Sequence, residues 1–316
     1  MTTAMLDRTR AESRWAAMGT DVHVLVDAAA PKALLPLAVE RLEMLEHAWS
    51  RFRADSALNH LNALAGAGPV FVGEDLLTLV ERMRDSWIST DGLFDPTVLA
   101  SIRAHGYDAD FAEVASRDAV DLLDVQLASA PGMSGVVVDA ADGTVSLPAG
   151  LGLDPGAIGK GLAADIVADE LLTAGATAVL VNLGGDIALR GTPAEGEWAI
   201  AVDDERLPRE QADRTHTIIT LDTDRAGIAT STTLKRRWAQ GRRHHVIDPR
   251  TGGMSTSPLV QATIIAGTAC DAEVRATSAL LQLPDAAVSS LRRDALDYLL
   301  FDAQRVWTSL EGAPRG

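Results

Sequence analysis

Hydrophobic and polar positions change period several times along the chain. Residues 12–27 alternate, with Val22, Val24 and Val26 on one face, and predict a strand whose entry Met18 and Gly19 interrupt. Residues 31–48 switch to helical spacing, with Pro31 in the first turn. Asp55 or Ser56 can cap a short helix running through Asn62. Residues 74–88 predict an amphipathic helix closed by Asp91-Gly92, whereas 103–116 mixes both characters. Two alternating runs, 135–139 and 143–147, flank Asp142-Gly143 and predict a hairpin. A helix over 157–174 is entered through a glycine-rich turn, and 177–183 (TAVLVNL) is a buried strand followed by Gly184-Gly185 and a strand to Leu189. Strands are predicted at 197–202, 215–221, 226–230, 258–266 and 297–302, and helices at 270–282 and 284–291. Hairpins mixed with long helices, without strict βα alternation, indicate an α+β fold with a mixed, largely antiparallel sheet packed with helices. The charged stretch 203–215 is expected to be an exposed loop.

Charge narrows the function classes. The 316 residues carry 28 Lys+Arg against 44 Asp+Glu, a net −16, which disfavours phosphate backbones and anionic membranes as partners. An anionic small molecule would need a local metal, a few basic side chains or a helix N-terminus. Cys270 is the only cysteine, so an intrachain disulfide and a cysteine-based zinc site are both excluded. The first residues, MTTAMLDRTRAESRW, show no secretory h-region, and no apolar run approaches the roughly 18 residues needed to span a bilayer. The expected location is cytoplasmic.

Several segments are dense in chemistry, and each also admits a plain structural reading. Leu153-Asp-Pro-Gly-Ala-Ile-Gly-Lys-Gly161 places three glycines and Lys160 before a helix, where free N–H groups can meet an anion; it matches neither GxGxxG nor Walker A. Val181-Asn-Leu-Gly-Gly-Asp-Ile187 ends a buried strand in two glycines and Asp186, and is equally a Gly-Gly turn. His244-His-Val-Ile-Asp-Pro-Arg-Thr-Gly252 combines histidines with an Asp-Pro turn, and Thr230, Ser231 and Thr232 supply successive hydroxyls upstream. Glu273 and Thr277 stand at i and i+4 on a predicted helix, a pair able to join a hard-cation site or simply to face solvent. Asp91-Gly-Leu-Phe-Asp-Pro-Thr97 offers the Phe94 ring and the Asp95 carboxylate.

The order of these segments carries more than any one of them. Met-Gly-Thr, Phe-Asp-Pro-Thr-Val, Leu-Asp-x-Gly-x-Ile-x-Lys-Gly-x-x-x-Asp, Asn-x-Gly-Gly-Asp and Ala-Thr-Ser…His-x-Ile-Asp-Pro-x-Thr-Gly resemble the flavin transferase (ApbE) family over roughly residues 12–302. The resemblance implies one flavin transferase domain over 12–302, with 1–11 and 303–316 as extensions, and a T-fold-like α+β architecture. It implies FAD as substrate, Mg²⁺, and transfer of FMN to a Thr or Ser hydroxyl of a target flavoprotein with release of AMP. Position by position, it assigns Met18, Phe52, Leu93, Phe94, Asp95, Asp154, Lys160 and His245 to FAD, and Ala157 (through its carbonyl), Glu273 and Thr277 to the metal.

Two positions depart from the family pattern. Phe52 stands where Tyr is common, which keeps the stacking face and loses the hydroxyl. Glu273 stands where Asp is usual, one methylene longer beside an ion that demands near-ideal geometry. The general base is open between His245 and the carboxylates Asp186 and Asp248. Two other outcomes stay open beside the transferase: an FAD binder with little catalysis, and an FAD pyrophosphatase releasing AMP and FMN.

Overall fold

In a computed structural model, residues 9–310 are described, apart from 118–127, 209 and 212. The frame is an eight-stranded sheet in the order Thr9–Ala17, Thr20–Ala28, Ala178–Leu183, Asp186–Gly191, Arg225–Thr232, Gln261–Ala266, Asp297–Phe301, Val306–Thr308. Every neighbouring pair in it is antiparallel. The sheet therefore reaches past both expected boundaries, 12 and 302. Among the described residues no helix is long and apolar enough to cross a membrane.

The two faces of the sheet follow the alternation of its strands. Val22, Val24, Val26, Val179 and Val181 pack against Leu42 and Leu45 of the helix Leu35–Trp49 and against Ala164, Val167 and Ala168 of the helix Gly159–Thr173. Each of these Val and Leu side chains contributes on the order of 1.5–3 kcal/mol relative to exposure. On the opposite face, Ala178, Leu180, Leu189 and Ile228 meet Trp198 and Ile200 of the hairpin Trp198–Asp203/Thr215–Leu221. The strand 178–183 is thus covered on both sides, as the apolar run from Ala178 to Val181 predicts.

The expected strand 12–27 is two strands. Ala17 pairs with Thr20 around Met18 (φ 52°) and Gly19 (φ 66°), a two-residue turn with both centres left-handed. The expected helix 31–48 is a single 3₁₀ turn at Pro31–Ala33 followed by the helix Leu35–Trp49, with Pro36 in its first turn. Ser56, not Asp55, caps the helix Ala57–Ala63 by accepting from the Asn59 N–H. The mixed stretch 103–116 takes in the end of the short helix Leu99–Ala104 and the helix Phe111–Ser116. The stretch 203–215 is not wholly exposed: Asp204 is buried and accepts two bonds from the Arg206 guanidinium, at 2.9 and 2.6 Å.

Candidate active site

The site is assembled from loops that side chains tie together. Asn62 grips Leu153, accepting from its N–H at 2.8 Å and donating to its carbonyl at 3.0 Å. The next N–H, of Asp154, donates to the Pro96 carbonyl at 2.7 Å, which joins the Asp-Pro-Gly loop to the Phe94-Asp95-Pro96 loop. Asp154 turns its carboxylate back onto the Gly156 N–H, 2.8 Å away. Asp95 is likewise anchored, accepting from the Thr97 N–H and hydroxyl at 2.9 and 2.6 Å, while burial pushes its carboxyl above the ordinary range.

Two helices meet behind this loop. A Cβ on Gly161 would lie 2.4 Å from the Ala269 carbonyl oxygen, so only glycine lets the helices Gly159–Thr173 and Ala269–Ala279 approach this closely. Asp165, one turn further, accepts from the N–H groups of Ala269 and Cys270 at 3.0 and 2.8 Å and thereby caps the second helix. Buried Arg190 donates to the same carboxylate at 2.7 Å. The last carboxylate of the Lys-Gly-x-x-x-Asp motif is therefore architectural.

This packing sets Glu273 opposite Lys160. Glu273 accepts from the Lys160 ammonium at 2.7 Å and from the Gly161 N–H at 2.8 Å, and Lys160 also donates to Asp186. Both carboxylates are 2% exposed. Burial opposes the Lys160 charge, but the two carboxylates outweigh it and hold the ammonium above its ordinary range. Burial, opposed by Lys160 and reinforced by Glu273, pushes Asp186 up to about 7. Four residues along the helix, the Thr277 hydroxyl meets the Ser231 hydroxyl at 3.0 Å.

Met18, Phe52, Leu93, Phe94, Asp95, Asp154, Ala157, Lys160, His245, Glu273 and Thr277 line one cavity of about 1880 Å³. Asp186 and Asp248 are the exceptions among the expected residues. Asp186 lies behind Lys160 and not on the cavity wall, so it touches the site through that lysine. Asp248 also lies off the wall and accepts from the Arg250 guanidinium at 2.9 and 2.7 Å. His245 lines the cavity half-buried, and its Nδ1 finds no hydrogen-bond partner among the described residues. Burial, joined by the charges of Arg236, His244, Lys160 and Arg51, drives its pKa down to about 3. The imidazole is neutral here and free to accept.

The donors expected for a metal are a carboxylate, a hydroxyl and a backbone carbonyl, all hard oxygens. Glu273 uses one lone pair per oxygen on Lys160 and Gly161 and retains further acceptor capacity. Among the described residues no group of three or more His, Cys, Asp or Glu could form a protein-only cage. Mg²⁺ does not need one, since it works with one or two carboxylates, waters and substrate phosphates. The donor set fits that ion.

Sequence reasoning gave Arg51, Tyr107 and Arg236 no site role. Arg51 is buried, with its guanidinium 4.1 Å from the Phe52 ring centroid and 4.4 Å from that of Tyr107. It donates to the Tyr107 carbonyl at 2.8 Å and lies 3.4 Å from Asp154. Arg236 reaches the Gly19 carbonyl at 3.2 Å and ties the hydroxyl-rich strand's exit to the N-terminal hairpin. Arginine within Arg51-Phe-Arg was the sole hint for the first; nothing local marks the other two.

Known proteins share this chain's sequence and fold. The FAD:protein FMN transferase of Treponema pallidum is 31% identical over 92% of this chain and 84% of its own length. That of Klebsiella pneumoniae is 29% identical over 86% of this chain and 77% of its own length. Among solved structures, the ApbE protein from Thermotoga maritima superposes with a TM-score of 0.79 at 24% identity, covering 98% of this chain and 96% of its own. The flavin transferase ApbE from Vibrio cholerae gives 0.76 at 22% identity, covering 96% and 97%. The model of the ApbE family matches residues 18–300, which take in six of the eight strands of the sheet and the loops of the cavity, and the chain belongs to that family.

Proposed function

We propose that this protein is an FAD:protein FMN transferase, which moves FMN from FAD to a Thr or Ser hydroxyl of a target flavoprotein and releases AMP. The observation that carries the reading is one cavity lined by the expected FAD and metal residues, which come from five loops and two helices. Its volume, about 1880 Å³, exceeds the roughly 300–1,000 Å³ typical of a small-molecule pocket, which suits a dinucleotide together with an entering acceptor segment. The relatives' activity supports the same reading.

In this reaction the acceptor oxygen bonds to the FMN phosphorus, the bond from that phosphorus to the bridging oxygen breaks, and AMP leaves with the bridging oxygen. The acceptor proton must go to a base. His245 suits that task because its Nδ1 is unpartnered and its imidazole neutral. Its low pKa reflects burial and nearby cations; bound phosphates would offset those cations and bring the value nearer to neutral. Lys160, fixed by Glu273 and Asp186, offers a positive charge to the pyrophosphate, and Arg236 adds another at the cavity wall. Phe52 presents an exposed ring backed by Arg51, a face on which a planar ring can stack. Glu273, Thr277 and the Ala157 carbonyl would hold Mg²⁺, which when bound supplies charge neutralisation at the phosphates.

The test is AMP release from FAD with Mg²⁺, with and without a peptide carrying an acceptor Thr, and with a chelator control. Chelator-sensitive AMP release that depends on the peptide and leaves FMN on it is the expected result. AMP release without the peptide would mark a pyrophosphatase, and FAD binding without AMP would mark a binder.

A further inference from the structure

The cavity's rim carries four arginines, Arg236, Arg237, Arg242 and Arg243, that form no ion pair among the described residues, whereas neighbouring Lys235 is paired with Glu205 at 2.6 Å. The segment Lys235-Arg-Arg-Trp-Ala-Gln-Gly-Arg-Arg-His-His245 contains four arginines, and its central hairpin pairs Arg237 with His244 and Trp238 with Arg243. Elsewhere carboxylates claim arginines such as Arg41, Arg117, Arg190, Arg206 and Arg250. That is ordinary where acids outnumber bases 44 to 28.

The hairpin arginines are bound instead to neutral acceptors. Arg237 donates to the Gly241 carbonyl at 2.9 and 2.6 Å and to the Thr233 carbonyl at 3.0 Å. Arg242 donates to the Ala239 carbonyl at 3.2 Å, Arg243 to His105 Nδ1 at 2.6 Å, and Arg236 to the Gly19 carbonyl. These bonds hold the guanidinium groups in place without cancelling their charge, and each group keeps N–H donors to spare.

The hairpin is firmly mounted. Trp238 is buried, donates to the His105 carbonyl at 2.9 Å and packs 5.4 Å from the Tyr107 ring. The tip runs through left-handed Ala239 (φ 51°), Gln240 (φ 58°) and Gly241 (φ 77°), a conformation that costs the two non-glycine residues about 1 kcal/mol each.

We propose that this hairpin docks an acidic segment of the acceptor protein and guides the acceptor hydroxyl into the cavity; the proposal rests on the transferase reading above. Arg236 and Arg237 line the cavity, whereas Arg242 and Arg243 do not, so the charge continues from the mouth onto the surface beyond the reach of a small ligand inside. A chain segment covers that span. A net charge of −16 repels acidic partners overall, so an acidic segment is steered to local clusters of unpaired arginines such as this rim. Bidentate guanidinium–carboxylate pairing then sets its register.

The probes are a short fluorescein-labelled peptide with one Thr flanked by glutamates, the same peptide with glutamines, and an oligo-dT of similar charge, each titrated by anisotropy. The glutamate peptide is expected to bind at least about tenfold tighter than the glutamine peptide, and to lose that advantage between about 0.05 and 0.3 M NaCl. Arg242→Glu is expected to weaken it at least about fivefold, and Gln240→Lys, at the exposed tip, to tighten it about twofold, with FAD affinity unchanged in both. Equal binding of the two peptides or of oligo-dT, indifference to both substitutions, or a matching loss of FAD affinity in Arg242→Glu would each overturn the proposal. FAD binding and AMP release by the same preparations report on the transferase reading separately: if they fail while peptide discrimination holds, only that reading falls.

Discussion

Replacing Asp165 by Ala separates scaffold from chemistry within one motif. Asp165 is 6% exposed, and its carboxylate bonds the N–H groups of Ala269 and Cys270 and the Arg190 guanidinium. Two bonds from N–H groups to a charged acceptor are worth about 1.5 kcal/mol each at the low end, or about 3 kcal/mol together. Arg190, 1% exposed, would keep Asp169 at 2.5 Å but lose its buried partner. That adds about 1 kcal/mol, for a total near 4 kcal/mol, inside the range of about 3–5 kcal/mol for breaking a buried pair. Against a typical stability of about 5–15 kcal/mol, the variant still folds at low temperature. Urea unfolding of both proteins at 10–25 °C gives the difference. AMP release per folded molecule should stay within about threefold, because Asp165 does not line the cavity. A stability loss under about 1 kcal/mol, or a collapse of turnover in fully folded protein, would refute the assignment of Asp165 to capping.

Other substitutions test neighbouring claims. Gly161→Ala gains up to about 1 kcal/mol of helix propensity, but its Cβ would meet the Ala269 backbone at 2.4 Å; a net loss of about 2 kcal/mol is expected in urea, with a raised FAD KM as Glu273 shifts. Arg51→Met leaves Asp154 buried without its cation and removes the support behind Phe52; about 2–4 kcal/mol of stability should go, and FAD should bind more weakly by fluorescence quenching. His245 titrates near 3 when folded and about 6.5 when unfolded, so its contribution is present above pH 6.5 and is lost as pH falls toward 3. His245→Gln should therefore abolish transfer at pH 7.5 yet spare about 2 kcal/mol of the wild-type loss in stability between pH 7 and 4.5, measured by denaturation without ligand.

Much of the fold was legible because it depends on local period and local chemistry. The largely apolar stretch 177–183 read as a buried strand and is one, and Asp142-Gly143 stood in the turn joining Val137–Asp139 to Thr144–Ser146. The N-terminal hairpin escaped because Met18-Gly19 lacks the usual Asn-Gly or Asp-Gly signal. The trace it left is a change of parity: Ala11 and Ala17 are buried at odd positions, and Val22, Val24 and Val26 at even ones. A two-residue turn produces that flip, because Ala17 and Thr20 face each other on the same side of the sheet.

The sequence alone determined the α+β class, the order of the chemistry-bearing loops, the acidic balance and the exclusion of an intrachain disulfide. Those properties belong to residue types and their spacing. Only the tertiary structure decided what the charges do. Lys160, Asp186 and Glu273 are 26 and 113 positions apart, and their grouping depends on Gly161 letting two helices touch. Asp165 and Asp186 stand in similar motif positions, yet one caps a helix and the other sits behind a lysine. Arg51 reads like any surface arginine until two rings and a carboxylate close around it. Burial and partners set the role of an ionisable side chain, and neither is a property of the one-dimensional chain.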